Sequence, residues 1–110
     1  MKNDCAIDAT MSVIEGRWKA VVLCKLMTKG TMRFSHLMKE IEGVSPRMLT
    51  KQLKELERDG MVLRKTYTEI PPRVEYSLTG RGKSIIPVLT AIAQWGVSNV
   101  LREIVEIHDE

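Results

Sequence analysis

Cysteine is scarce in this chain: Cys5 and Cys24 are its only two. That is too few for a disulfide framework, so the fold has to rest on apolar packing. A single domain of 110 residues can do this without disulfide or metal support. Long apolar runs are also missing. The longest uninterrupted one, Ala20 to Cys24, falls far short of the roughly 20 residues that span a bilayer. The N-terminus, Met1-Lys2-Asn3-Asp4-Cys5, is polar and does not look like a targeting segment. The expectation is a cytoplasmic protein with no membrane partner. His36 and His108 are far apart, with no cysteine or carboxylate at ligand spacing, so no metal site is expected. No nucleophile, base and orienting group stand together, which argues against an enzyme. Gly82-Lys83-Ser84 imitates the end of a phosphate loop, but the earlier glycine that such a loop needs is Ser77. Thr79 to Ser84 therefore reads as a helix start, and no cofactor is expected.

What is present is ordinary in amount and uneven in placement. Hydrophobic residues make up 44% and charged residues 28%, a globular balance that excludes global disorder. The net charge is only +3. Between Ser45 and Arg73, however, seven Lys or Arg face four acidic residues, while Ser98 to Glu110 has one Arg against four acids. A basic middle and an acidic tail suit a polyanionic partner.

The spacing of apolar residues predicts two N-terminal helices within residues 8–28. The first is capped by Asp8 and stopped at Gly16, and the second has Trp18, Val22 and Leu26 on one face. Met32 to Phe34 reads as an extended connector. Ser35 is placed to cap a helix running through Ile41, and Gly43 supplies a tight turn. Ser45-Pro46 is a strong helix start, because serine accepts from free N–H groups and proline at the first position has no N–H to leave unpaired. That helix runs to about Asp59 and stops at Gly60. Met61 to Tyr67 and Arg73 to Leu78 are rich in β-formers and read as a two-stranded hairpin with a stiff Pro71-Pro72 tip. Thr79 caps a last helical region, to about Glu106, with a break expected at Pro87.

Helix, glycine turn, capped helix, hairpin is the order of a helix-turn-helix (35–59) followed by a wing (61–78). The fold class is mainly α with a small β-hairpin wing. At about 100° per residue, Arg47, Lys51, Lys54 and Arg58 share one side of the helix after Ser45, with Leu49, Leu53 and Leu56 nearly opposite. One side can be buried while the other meets the phosphates of duplex DNA. The acids lie toward the C-terminal end. The N-terminal half, Ser45, Pro46, Arg47, Thr50 and Lys51 included, has none and is the end expected to reach base edges. Arg47 is the first candidate for reading guanine, Thr50 and Lys51 the second, and Lys54 is placed for phosphate. The plain alternative is a solvated helix in which Glu55, Glu57 and Asp59 pair with Lys51, Lys54 or Arg58, as in a winged-helix protein-interaction module without DNA readout. Lys65 and Arg73 flank the hairpin tip as candidate backbone or minor-groove contacts, or as solubilising charges of an edge. Arg64 and Glu75 are a candidate cross-strand pair.

The last helical region (79–106) is apolar beyond what one face of a small monomer buries. Ile85, Leu89, Ile92, Trp95, Val100, Leu101 and Ile104 therefore become a candidate homodimer interface, the alternative being a long helix wrapped over its own core. Cys24, among Val and Leu, reads as an inert core residue. Cys5 is ambiguous from its neighbours: Asp4 favours the protonated thiol, and Lys2 is also near.

The segments Gly16-Arg17-Trp18-Lys19, Arg33-Phe34-Ser35-His36-Leu37, Ser45-Pro46-Arg47-Met48-Leu49-Thr50, Leu53 to Gly60 and Pro71-Pro72-Arg73-Val74-Glu75-Tyr76-Ser77-Leu78-Thr79 resemble the HxlR-type regulators. Pro87-Val88-Leu89 and Gln94-Trp95-Gly96 fit as well, so the likeness covers nearly the whole chain. It implies a prokaryotic, homodimeric winged helix-turn-helix repressor or activator, dimerised by its terminal helices and binding a near-palindromic operator. Some members sense oxidants or electrophiles through a cysteine near the N-terminus. Cys5 stands at the matching place, followed by Ala6 where the family often has proline. A small-molecule or oxidant effector is thereby left open.

Overall fold

The computed structural model describes residues 5–101. Its elements follow in chain order: α1 (Ala6–Ile14), α2 (Lys19–Lys29), β1 (Met32–Arg33), α3 (Phe34–Glu40), α4 (Pro46–Arg58), β2 (Val62–Tyr67), β3 (Arg73–Leu78), α5 (Gly80–Ser84), α6 (Ile86–Gly96) and a π-helical stretch, Val97–Leu101. The far end of the last helical region, Ile104 included, lies outside the described residues.

One core holds these elements together. Val22, Leu23 and Leu26 of α2, Leu37 of α3, Leu49, Leu53 and Leu56 of α4, Val62 of β2 and Tyr76 of β3 are all buried in it. Burial of each leucine is worth roughly 1.5–3 kcal/mol before the entropy of ordering is counted. The three α4 leucines are therefore enough to press one side of that helix against the body. Trp18 packs beside the turn ahead of α4: Gly43 has φ +88°, and its Cα hydrogen faces the Trp18 ring. A side chain here would be strained by the positive φ, although its Cβ would meet the Trp18 ring only at an ordinary contact distance of 3.5 Å.

The hairpin is as expected, but the sheet is larger than the sequence suggested. β1 pairs antiparallel with β3 (Met32 opposite Tyr76, Arg33 opposite Glu75), giving the order β1-β3-β2. A two-residue strand has no periodicity to read, and its partner lies over 40 residues away in the chain. The register of the wing places Arg64 opposite Tyr76 and Lys65 opposite Glu75. The expected Arg64–Glu75 pair does not form; the Arg64 guanidinium donates to Thr66 Oγ1 instead.

The caps follow the same pattern. Ser45 Oγ accepts from Met48 N–H at 3.1 Å with Pro46 in the first turn of α4, and Thr79 Oγ1 accepts from Gly82 N–H at 3.0 Å. Ser35 is not a cap: α3 begins one residue earlier, with Arg33 in the capping position and no side-chain cap. Asp8 lies inside the first turn of α1, and Cys5 takes the cap position. The break in the last region falls at Ile85, just before Pro87, which sits in the first turn of α6.

Two burial expectations are corrected. Cys24 is exposed, because the buried stripe of α2 runs through Val22, Leu23 and Leu26 and leaves position 24 outside it. Leu89 is only 4% exposed, packed in the protomer's own core, and so is not part of the outer apolar face. The helical run Gly80–Leu101 also has the length and composition of a membrane span, with a mean hydropathy of 1.4 in its most apolar window. Helices α5 and α6 and the π stretch follow one another without a loop, which no uninterrupted apolar run in the sequence announces.

Candidate nucleic-acid interface

Helix α4 presents Arg47, Thr50, Lys51, Lys54 and Arg58 to solvent, opposite Leu49, Leu53 and Leu56, which are at most 1% exposed. Ser45, Arg47, Met48, Thr50, Lys51, Lys54 and one acid, Glu55, line a solvent-open concavity along this side. The ridge is not plugged by any described part of the chain.

Where the acids go decides how positive that ridge is. Glu55 reaches Lys19 of α2, with Nζ to Oε2 at 3.2 Å, while Lys51 and Arg58 stay near enough to act on it through charge alone. Lys19 is only 5% exposed, so its charge needs this partner. The Lys19 hydrogen bond holds the Glu55 carboxyl below its usual range, against the opposing effect of desolvation. Asp59 lies 3.6 Å from Arg58. Of the three acids that motivated a non-DNA module, only Glu57 is left without an ion pair among the described residues. Arg47, Lys51 and Lys54 form no ion pair among those residues either.

The hydrogen bonds refine what each side chain offers. Ser45 is occupied in capping α4. Thr50 Oγ1 donates to Pro46 O at 2.8 Å, so toward a ligand it presents lone pairs and a methyl group. Among the described residues, none takes a guanidinium donor of Arg47.

The wing differs from a pair of free cations at a tip. Arg73 is half-buried. Its Nη2 lies 3.2 Å from Glu69 and its Nε 3.2 Å from Glu75. The Nε contact is poorly aligned for a hydrogen bond and acts as an ion pair only. The same guanidinium stacks 4.0 Å from the Tyr67 ring centre, and the Lys65 ammonium lies 4.9 Å from it. Arg73 thus braces the hairpin, and its charge is largely compensated. Lys65 remains exposed. Along the sequence Tyr67 and Lys19 have a place, in a strand and a family segment, but no role at the site. Tyr67 is the cross-strand partner of Arg73, visible only once the register is known. Lys19 carried a signal, a cation directly abutting the apolar run Ala20–Cys24.

Cys5 is exposed at the N-terminal end of α1. Backbone N–H groups of Asp8 and then Ile7 hold its thiol below the usual range, the opposite of the expectation from Asp4. Cys24 is shifted up by partial burial. The outer apolar face is shared by α1 and α6. Ile7 and Met11 are exposed on the former, Ile92 and Trp95 on the latter, with Val97, Val100 and Leu101 continuing it. Ile85 is half-buried against the core. A groove lined by Ile7, Met11, Ile14, Val88 and Ile92 joins the two helices.

Comparison with known proteins agrees with this architecture. A regulator of the HTH type from Methanothermobacter thermautotrophicus is 47% identical over 92 residues, covering 84% of this chain and 70% of the relative. The redox regulator HypR in its reduced form superposes with a TM-score of 0.84 at 38% identity, covering 93% of this chain and 98% of HypR. Its oxidized form gives 0.81 at 40% identity, covering 86% and 97%. These relatives and neighbours are transcription regulators, not enzymes. The HxlR-like helix-turn-helix family matches residues 13–104, and the chain belongs to that family of transcription regulators.

Proposed function

We propose that the chain is a sequence-specific DNA-binding transcription regulator that acts as a homodimer on a near-palindromic operator. The observation that carries this reading is the α4 ridge: Arg47, Lys51 and Lys54 exposed and without ion pairs among the described residues, on a helix whose other side is anchored by three buried leucines. An inserted helix with this charge gains phosphate contacts on both walls of a major groove, and its acid-free N-terminal half points at base edges. Arg47 reads bases, with Thr50 and Lys51 beside it; Ser45 and Pro46 set the helix start, and Lys54 holds phosphate. Lys65 follows the backbone beside the wing, and Arg73 keeps the wing rigid, touching DNA at most with the edge its carboxylates leave free.

The apolar face of α1, α6 and the π stretch pairs two copies. The two α4 helices then meet half-sites about one helical turn apart, or a multiple of it. Cys5 is a redox-responsive thiol in this reading. Its support is the depressed thiol at a helix end and the likeness to HypR, which is titled a redox regulator.

The test compares Arg47→Ala and Lys54→Ala on DNA selected from genomic fragments. Arg47→Ala should lose about 1–3 kcal/mol of binding to the selected site and little to random duplex. Lys54→Ala should weaken both and reduce the salt slope by about one ion. Equal losses of Arg47→Ala on both duplexes refute base reading by that residue, and no binding at low salt refutes the DNA reading.

A further inference from the structure

A second concavity lies away from the α4 ridge, where α1, α5 and the turn ahead of the wing meet. Its volume is about 330 Å³. Ala9, Thr10 and Val13 line it from α1, Met61 from the turn, and Arg81, Ser84 and Ile85 from α5 and its end. Ala9, Val13, Met61 and Ile85 make most of the wall apolar. Arg81 is exposed and forms no ion pair among the described residues. The hydroxyls of Thr10 and Ser84 already donate to Ala6 O and Arg81 O, so they offer lone pairs and not protons. Arg81 is therefore the one charged donor among the lining residues.

We propose that this concavity is an effector site for a compact monocarboxylate, with the carboxylate on the Arg81 guanidinium and the apolar body against Val13, Met61 and Ile85. The size selects a small molecule, since about 300 Å³ is the lower end of ligand sites. The lining selects the rest. A planar guanidinium suits a carboxylate through two parallel hydrogen bonds. A strongly polar body would face Val13 and Ile85 with its own groups unpaired.

The place gives occupancy a consequence. Met61 O accepts the Thr79 N–H and abuts Gly82, and Arg81 Cδ lies against Gly60. The wall that receives the ligand is thus the joint from which α4 and the wing diverge. The opposite wall is α1, part of the face proposed for subunit pairing. A ligand lodged between them favours one setting of the reading helices over another, to the extent that it binds that setting better. This coupling rests on the DNA-binding reading; occupancy of the site does not.

The experiment is an amide NMR titration of the full chain with benzoate. Benzamide, with the same body and no charge, and inorganic phosphate, with charge and no body, are run beside it. Benzoate should shift the Thr10, Met61, Ser84 and Ile85 amides saturably at about millimolar concentration or below, and either comparator should need at least about tenfold more. Arg81→Gln should weaken benzoate by about tenfold or more, and Ala9→Leu, which fills the apolar wall and leaves Arg81 in place, should do the same. Thermal melting of both variants checks that they fold. No saturable shift with benzoate, equal binding of benzamide or phosphate, or an unchanged affinity in folded Arg81→Gln overturns the site. Binding that leaves the preference for half-site spacing unchanged overturns the coupling. A chain that binds benzoate and no DNA overturns the DNA reading and leaves the site standing.

Discussion

Replacing Gly82 with alanine sets two effects of opposite sign against each other. Gly82 lies inside α5 without a positive φ, so helix propensity alone favours the alanine by about 1 kcal/mol. The space does not allow it. An added Cβ would stand 2.1 Å from Met61 O, 3.1 Å from Met61 C and 3.3 Å from Leu78 Cδ2. The nearest atom is backbone, so no side-chain rotation relieves the overlap. Met61 is 2% exposed, and its carbonyl accepts the Thr79 N–H at 3.1 Å. Thr79 Oγ1 in turn donates to Gly60 O at 2.5 Å and accepts from Gly82 N–H at 3.0 Å. Moving α5 off the turn by about 1 Å loosens these bonds, each worth roughly 0.5–1.5 kcal/mol, and disturbs core packing at about 1–3 kcal/mol. After the propensity gain is subtracted, a net loss of about 2–4 kcal/mol is expected. Urea unfolding at one fixed protomer concentration measures it, as a lower midpoint with an unchanged slope. Operator binding should fall as well, because the same joint sets α4 against the wing. A Gly82→Ala protein as stable as the parent, or more so, would refute the steric argument and leave propensity in charge.

The Lys19–Glu55 pair makes a pH prediction. The folded carboxyl is shifted down, so its stabilisation is present above the ordinary glutamate pKa of about 4.3 and fades as pH falls toward the lower folded value. Glu55→Gln should flatten the acid limb of a stability profile, and an unchanged limb would remove this pair as its cause. The outer apolar face predicts that Trp95→Glu converts a dimer to a folded monomer at micromolar concentration in light scattering; a dimer that persists locates the interface elsewhere. The opposite shifts at the two cysteines predict that Cys5 is alkylated with a lower pH midpoint than Cys24, followed by mass spectrometry. The reverse order would contradict thiolate stabilisation by α1. If Cys5 is the sensor, Cys5→Ser should keep its DNA under diamide while the parent releases it.

Much of the fold was open to reading along the chain because its signals are local. Ser45 and Pro46 begin α4 by backbone chemistry within one turn. The leucine and cation positions of that helix separate by angle alone, and alternating Val74, Tyr76 and Leu78 mark β3. What escaped depends on partners distant in sequence. Met32 and Arg33 are a strand only because β3 lies beside them. Arg73 is a brace because the hairpin register puts Tyr67 across from it. Cys24 is outside because of which side of α2 turned inward, and Leu89 is inside for the corresponding reason on α6.

The amino-acid order by itself determined that one helix would carry leucines on one side and cations on the other, and that a hairpin would follow it, since capping, periodicity and β-preference act over a few residues. The tertiary structure decided which of those charges stay available. Only the packing of α2 against α4 brings Lys19 to Glu55, and only the closed hairpin lays the Tyr67 ring across from Arg73. An ion pair is a matter of a few ångströms in space, and that distance exists only after the chain has folded.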